Sequence, residues 1–302
     1  MNELFDKLIL RVFLAVFICL LLWLYKYLHV ILYPVAKEQT LSPFSPLKNT
    51  ADTIHLFARL IGLGIIFSEF RFYLSDGVLY AIIEFVIHSL SAYSIFLVSI
   101  WIMDSISLYN FDYYDEIHKR RNIAYATVAA SNVLALSYLI KTVLQVSQGS
   151  FIALVFLWLL SVIAIGIAAK AYSWVSLLAF NKNIIQKNMG IAFSYSGFIL
   201  GWSLVIATSL GSEAKSFRWY ATSVVLQILL SLIIYPLFQY GLGKVFKIQH
   251  DFTEKDLEGN KSKESEKQIA YGFYEGASFL TACLLTSLII GRIHFGTFYP
   301  IF

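Results

Sequence analysis

The sequence predicts an all-α integral membrane protein with about eight transmembrane helices, arranged as four repeated helical hairpins. Three observations predict it. Of 302 residues, 58% are apolar and only 14% are charged, against about 25% in ordinary soluble domains. The apolar residues fall in runs long enough to cross a bilayer, which takes about 20 residues because the hydrocarbon core is about 30 Å thick and a helix rises 1.5 Å per residue. A short polar motif recurs at the start of every second run.

The predicted spans are Leu8–Leu32, Asp52–Phe70, Val78–Ser107, Asn122–Leu144, Phe151–Phe180, Asn188–Leu210, Trp219–Leu242 and Gln268–Ile290. They pair into hairpins at approximately 8–70, 78–144, 151–210 and 219–290, within one membrane domain covering 1–302. The first span is too long for a signal-peptide core and no small-residue cleavage site follows it, so it is read as a retained helix. Cys19 and Cys283 both fall inside spans, where they read as small buried apolar residues rather than disulfide partners.

The connections alternate. Those after odd helices are charged and mostly longer: Lys37–Ala51, Tyr109–Arg121, Asn181–Lys187 and Gly243–Lys267. Those after even helices are short: Arg71–Gly77, Val146–Ser150 and Gly211–Arg218. The first set holds thirteen basic residues: Lys37, Lys48, Lys119, Arg120, Arg121, Lys182, Lys187, Lys244, Lys247, Lys255, Lys261, Lys263 and Lys267. The opposite side holds seven: Lys7, Arg11, Arg71, Lys141, Lys215, Arg218 and Arg292. The positive-inside rule then puts the charged connections in the cytoplasm and both termini outside, although Lys7 and Arg11 pull the other way. Within 243–267, the stretch His250–Lys267 has no apolar period. It reads as a solvated linker or as the docking site of a cytoplasmic protein. The formal charge of +4 is modest and spread over the loops, so the expected partner is the lipid bilayer, with a homo-oligomer possible and no nucleic acid indicated.

Each even helix opens on a cation, an amide, any residue and a small residue. The four copies are Lys48-Asn49-Thr50-Ala51, Arg121-Asn122-Ile123-Ala124, Lys187-Asn188-Met189-Gly190 and Lys267-Gln268-Ile269-Ala270. Subtracting the amide positions (49, 122, 188, 268) gives intervals of 73, 66 and 80 residues. An amide at a helix start can accept from the free N–H groups of the first turn. Small residues continue down these helices: Gly62 and Gly64 in the second, Gly197 and Gly201 in the sixth, Gly272 and Gly276 in the eighth. In lipid, where burial of apolar surface does not drive helices together, such residues mark packed faces. The even helices are therefore expected to form the inner set, with the odd ones toward lipid. Two spans per unit give every unit the same orientation, so their pseudo-symmetry axis would run along the membrane normal.

The stretch from Tyr114 through Asp115-Glu116-Ile117 to Asn122-Ile123-Ala124-Tyr125-Ala126 resembles the signature of the YjfL-like bacterial inner-membrane proteins (domain of unknown function 350). Asn188-Met189-Gly190-Ile191-Ala192 with Ser196-Gly197-Phe198 is similar to a further copy. Departures are Gln268 in place of Asn, and Asp52-Thr53 after the first Asn-x-Ala. The resemblance implies a bacterial inner-membrane home and a hairpin architecture, but no reaction.

Ionisable groups at membrane depth are costly and are functional suspects. The third helix carries Tyr80, Glu84, His88 and Ser91 on one face, and the second carries Asp52, His55, Arg59 and Gly62. Counting back from the turn between them places Arg59 near His88 and Glu84, so a contact from Arg59 to either is expected. The eighth helix adds Tyr271, Glu275 and Ser278, and the fourth Ser131 and Asn132. The set reads as a register-fixing polar network or as an ion or proton pathway. His55, Glu84 and His88 have the right donor types for a metal, though only two share a helix at ligand spacing. Lys26, Lys170 and Asp104, near helix ends, are read as snorkelling groups without a role. No His-Glu-x-x-His, Gly-x-Ser-x-Gly, phosphate-binding loop or cysteine cluster occurs, so neither catalytic residues nor a cofactor are indicated. Two functions remain: a membrane scaffold or envelope-stress component, and an ion or proton channel or transporter.

The topology is directly testable. A cysteine at Ser262 should stay unlabelled by an impermeant reagent in right-side-out vesicles. Ready labelling would invert the assignment.

Overall fold

The computed structural model describes residues 2–70, 77–147, 150–176, 179–211, 217–246 and 261–293. Eight long helices carry the fold: α1 (Asn2–Leu32), α2 (Thr50–Phe67), α3 (Val78–Ser107), α4 (Ile123–Ser147), α5 (Phe151–Val175), α6 (Met189–Leu210), α7 (Phe217–Val245) and α8 (Lys261–Ile290). Each contains a segment long and apolar enough to cross a membrane. There is no strand among the described residues, so the chain is an all-α polytopic membrane protein. Shorter pieces lie between: a 3-10 turn Pro34–Ala36, a helix Lys37–Leu41, a π-helical turn Tyr114–Lys119 and a helix Phe180–Ile185. The middle of the 243–267 loop (247–260) and most of the short connections after α2 and α6 (71–76, 212–216) lie outside the described residues.

Several boundaries differ from the sequence reading by a few residues, α1 beginning at Asn2 rather than Leu8, and two differences change the character of a segment. The long fifth apolar run is split, with α5 ending at Val175 and a separate helix beginning at Phe180. α8 starts at Lys261, seven residues before Gln268, so the end of the polar stretch is helix rather than linker. Its Lys and Glu residues are strong helix formers and extend the helix beyond its apolar segment.

Helix starts follow from capping chemistry. The Asn49 side chain accepts from Asp52 N at 3.2 Å, Asn122 from Tyr125 N at 3.2 Å, Asn188 from Gly190 N at 2.8 Å and Ser150 from Ala153 N at 3.4 Å. Each satisfies one of the donors that a helix start leaves open. Arg121 (φ +49°) and Lys187 (φ +59°) turn the chain just ahead of Asn122 and Asn188 in the left-handed region. Gln268 cannot cap, because it lies inside α8.

The even helices run parallel in a row, α2 beside α4, α4 beside α6, α6 beside α8. The odd helices flank this row: α5 packs on α4 and α6, α7 on α8 and α6, α3 on α4 and α5, with α1 against α3. Burial is greatest in the middle of the row. In α4 and α6, 78% and 72% of the apolar window is buried within the protein, against 39% in both α8 and α5, 28% in α7 and 17% in α1. α2 scarcely touches α3, its neighbour in sequence. Its partner is α4.

The α6–α8 contact is backbone on backbone. A Cβ at Gly197 would lie 2.0 Å from the carbonyl oxygen of Gly276, and one at Gly272 would lie 2.0 Å from that of Gly190. A Cβ at Gly276 would meet the Phe193 carbonyl at 2.3 Å, and one at Gly201 the Cys283 Cβ at 2.8 Å. Only glycine permits this approach, which gives dispersion contact over the whole helix length where lipid supplies no hydrophobic drive. A Cβ at Gly62 would lie 2.4 Å from Ser137 Oγ across the α2–α4 contact, whereas one at Gly64 would meet open space.

Gly197→Ala and Gly272→Ala should therefore each lower the melting temperature in detergent. The overpacking cost is about 1–3 kcal/mol or more, because the obstacle is backbone. Gly64→Ala should leave it unchanged or slightly raised, since alanine is the better helix former. Equal stability of all three variants would mean that the glycine contact does not hold α6 to α8.

Candidate functional site

Call the membrane side that carries the even-helix starts the motif end, and the other side the turn end. At the motif end the amides form a relay. Asn49 Nδ2 donates to the Ile117 carbonyl at 2.8 Å, five residues before Asn122. Asn122 Nδ2 donates to the Ile184 carbonyl at 2.8 Å, four residues before Asn188, and to Glu116 Oε2 at 2.7 Å. Asn188 Nδ2 donates to Gln268 Oε1 at 2.6 Å and to Asn183 Oδ1 at 2.8 Å. Each asparagine thus caps its own helix with its oxygen and holds the next even helix, or the segment just ahead of it, with its nitrogen. The middle joint is reinforced: Arg120 pairs with Glu116 and donates to the Ile185 carbonyl, while Lys187 donates to the Arg120 carbonyl.

Beside this relay, in the first half of the chain, lies a buried polar cluster. Arg59, fully buried on α2, donates Nη2 to the Tyr33 hydroxyl at 2.5 Å and Nη1 to the His55 carbonyl at 3.2 Å. Its ion-pair partner is Asp104 at the end of α3, with Nη2 and Oδ2 3.6 Å apart. Tyr33 donates to the same carboxylate oxygen. Tyr33 stacks on Tyr113 with centroids 4.0 Å apart, and the His55 ring lies 4.8 Å from Tyr113. His29 Nε2 and the Tyr113 hydroxyl share a hydrogen bond of 3.1 Å. Burial pushes the Tyr33 and Tyr113 hydroxyls well above the ordinary phenol range, which keeps them protonated donors. Burial pushes His118, beside Tyr113, below its ordinary value, and the Asp52 carboxylate opposes that shift only in part.

The Arg59 contact expected from the sequence is corrected here. Its partner is Asp104, not Glu84 or His88. Counting from the turn assumed that α2 and α3 run as close neighbours of matched length. α2 has 18 residues and α3 has 30, and the two scarcely touch. Glu84 and His88 instead line a cavity of about 690 Å³ at the turn end, with Glu69, Ser91 and Gln145. His55, Glu84 and His88 thus sit in two separate places, and among the described residues no three His, Cys, Asp or Glu side chains are grouped to hold a metal. Asp104, Tyr33, His29 and Tyr113 were missed as site residues. The signal for Asp104 was present: an aspartate side chain is too short to snorkel, so an acid inside a span needs a partner.

The remaining expected residues lie in helix-to-helix bridges. Asn132 donates to Ser107 Oγ at 2.8 Å and accepts from the Tyr195 hydroxyl at 2.8 Å, joining α3, α4 and α6. Glu275 accepts from Ser194 and from Ser176 Oγ at 2.9 Å, and Ser194 accepts from the Tyr172 hydroxyl at 2.7 Å.

A family model described as Domain of Unknown Function (DUF350) matches residues 3–144 and again 145–290. The chain belongs to this family. One DUF350 unit therefore spans four helices, that is two hairpins, and the chain holds two such units side by side. The α4–α6 contact and the Asn122 link join them. Comparison with curated proteins and with solved structures gives no match.

Removing either member of the Arg59–Asp104 pair leaves the other charge behind. Asp104→Asn should lower folded yield and stability sharply, toward the roughly 3–5 kcal/mol of a broken buried pair, because Arg59 is 0% exposed. Arg59→Met should cost less, since the Asp104 side chain is 19% exposed, and the double variant should recover part of the Asp104→Asn loss. Glu84→Gln should show no coupling to Arg59→Met. A double variant no better than Asp104→Asn alone would dismiss the pairing.

Proposed function

We propose that the protein is a membrane-embedded scaffold, residing in the bacterial inner membrane with both termini outside and the 243–267 loop facing the cytoplasm. A component of an envelope-stress assembly fits this reading, with the loop offering its protein contact. The observation that carries the reading is the separation of the two polar regions. The Arg59–Asp104 cluster lies at the motif end and the Glu84–His88 cavity at the turn end. Between them runs a packed apolar layer that includes Leu63 and Ile66 of α2, Phe96 and Ile100 of α3, and Val133 and Ile140 of α4. The apolar side chains of such a layer offer water or an ion no hydrogen-bonding partners. The second half is closed by glycine contacts, and Glu275, the one acid within its apolar helix segments among the described residues, accepts from serine hydroxyls. Rigid packing and a charged motif end suit a platform more than a conduit.

Proteoliposomes containing the protein should show proton and potassium fluxes no greater than empty vesicles. A flux above that background, lost in Arg59→Met or Glu84→Gln, would replace the scaffold by a channel that uses the polar set.

A further inference from the structure

A second cavity, about 260 Å³, opens beside the buried cluster at the motif end, where α1 and α3 finish. Its walls include Tyr33, Trp101, Tyr109 and Tyr113, together with the carboxylates of Asp104 and Asp112. Several aromatic rings with acids among them form a surface for positive charge, because ring faces carry the negative part of the quadrupole. Rings cannot replace the water that a small metal ion would have to shed, whereas an organic ammonium ion is weakly hydrated and presents methyl or methylene groups to them.

The structure already places a cation on one of these rings. Lys170 of α5, exposed to its surroundings, holds its Nζ 4.1 Å from the centroid of Tyr109. On the inner side, both partners of Asp104 use Oδ2, namely Tyr33 and Arg59. That leaves Oδ1 without a protein partner among the described residues. Asp112 is exposed, and its side chain accepts through Oδ1 from the Asp115 backbone N at 2.9 Å. Asp104 lies three residues before the end of α3, about 4.5 Å in rise, so the cavity lies within a turn of the motif end of that helix.

We propose that this cavity binds a small organic ammonium ion, which takes over the ring face that Lys170 occupies and is balanced by Asp112 and the outer oxygen of Asp104. The ammonium can be that of a free amine or of an ethanolamine lipid headgroup. The site goes beyond the scaffold reading and does not depend on it.

The experiment uses the full chain in nanodiscs of phosphatidylglycerol alone, titrated with tetramethylammonium at constant ionic strength. The readout is tryptophan fluorescence, with Trp101→Phe as the control that removes the signal. Saturable binding is expected. Lys170→Met should tighten it about two- to fivefold, the factor an exposed cation–π contact is worth. Tyr109→Leu and Asp112→Asn should weaken it; both residues are exposed, and circular dichroism checks that the variants fold. Adding phosphatidylethanolamine should raise the apparent Kd if the headgroup is the occupant and leave it unchanged if the occupant is a free amine. Three results would overturn the proposal: no saturable change in the parent or in Lys170→Met, equal binding of potassium, or binding indifferent to both Tyr109→Leu and Asp112→Asn.

Discussion

The close approach of the glycine backbone of α6 to that of α8 sets what the rest of the structure must do. Apolar surface gains nothing by leaving lipid for other apolar surface, so helices in a bilayer stay together through contact area and hydrogen bonds. Gly190, Gly197 and Gly201 on one helix and Gly272 and Gly276 on the other remove the side chains that would hold the backbones apart. The other parallel contacts, α2 with α4 and α4 with α6, lack a matched glycine ladder. They are held at the motif end instead, by amides that reach from one helix start to the next. Close packing and the relay are two answers to one constraint: each even helix needs a directional tie to its neighbour.

The relay also accounts for the recurrence of the motif. An asparagine has one acceptor and one two-proton donor on a short, stiff side chain. At a helix start its oxygen is committed to the first turn, and its nitrogen then points sideways. Asn49, Asn122 and Asn188 all use both ends. Gln268 is the last amide of the relay among the described residues. It accepts from Asn188, and it does so from inside a helix that begins seven residues earlier. Its departure from asparagine matches a position from which the capping task has gone.

Much of this was legible in the sequence. Eight apolar runs give eight helices, because backbone groups in lipid must be paired within a helix or a closed barrel, and continuous apolar runs of this length suit the helix. The even helices are inner because the small residues that permit close packing are concentrated there. Two things were not legible. Which helices touch could not be read from chain order, since α2 leaves α3 for α4, and so the partner of Arg59 was misplaced. The cluster's phenols and imidazoles, Tyr33, Tyr113 and His29, come from loop and helix-end positions with no periodic signature. Asp104 was visible and was set aside with the lysines, although it lacks the length that lets a lysine reach water.

The two DUF350 units show why the charged cluster sits in the first of them. Aligning Asn49 with Asn188, an offset of 139, sets Ala51 against Gly190, Ala58 against Gly197 and His55 against Ser194. Aligning Asn122 with Gln268, an offset of 146, sets Ala126 against Gly272 and Ala130 against Gly276. Where the second unit has glycine and brings its even helices into backbone contact, the first has buried alanine at all four places. A methyl group at each stands where the second unit has backbone contact. The first unit instead buries Arg59 and His55, whose neighbours are the Asp104 carboxylate and the Tyr33 and Tyr113 rings. In the second unit the same position beyond the amide is a serine, small enough for the tight joint, and it hydrogen-bonds Glu275 across the α6–α8 contact. The second unit thus combines glycine contact with one hydrogen-bonded acid, and the first combines alanine with a buried ion pair and rings. The cavity of aromatic rings and carboxylates opens beside that ion pair.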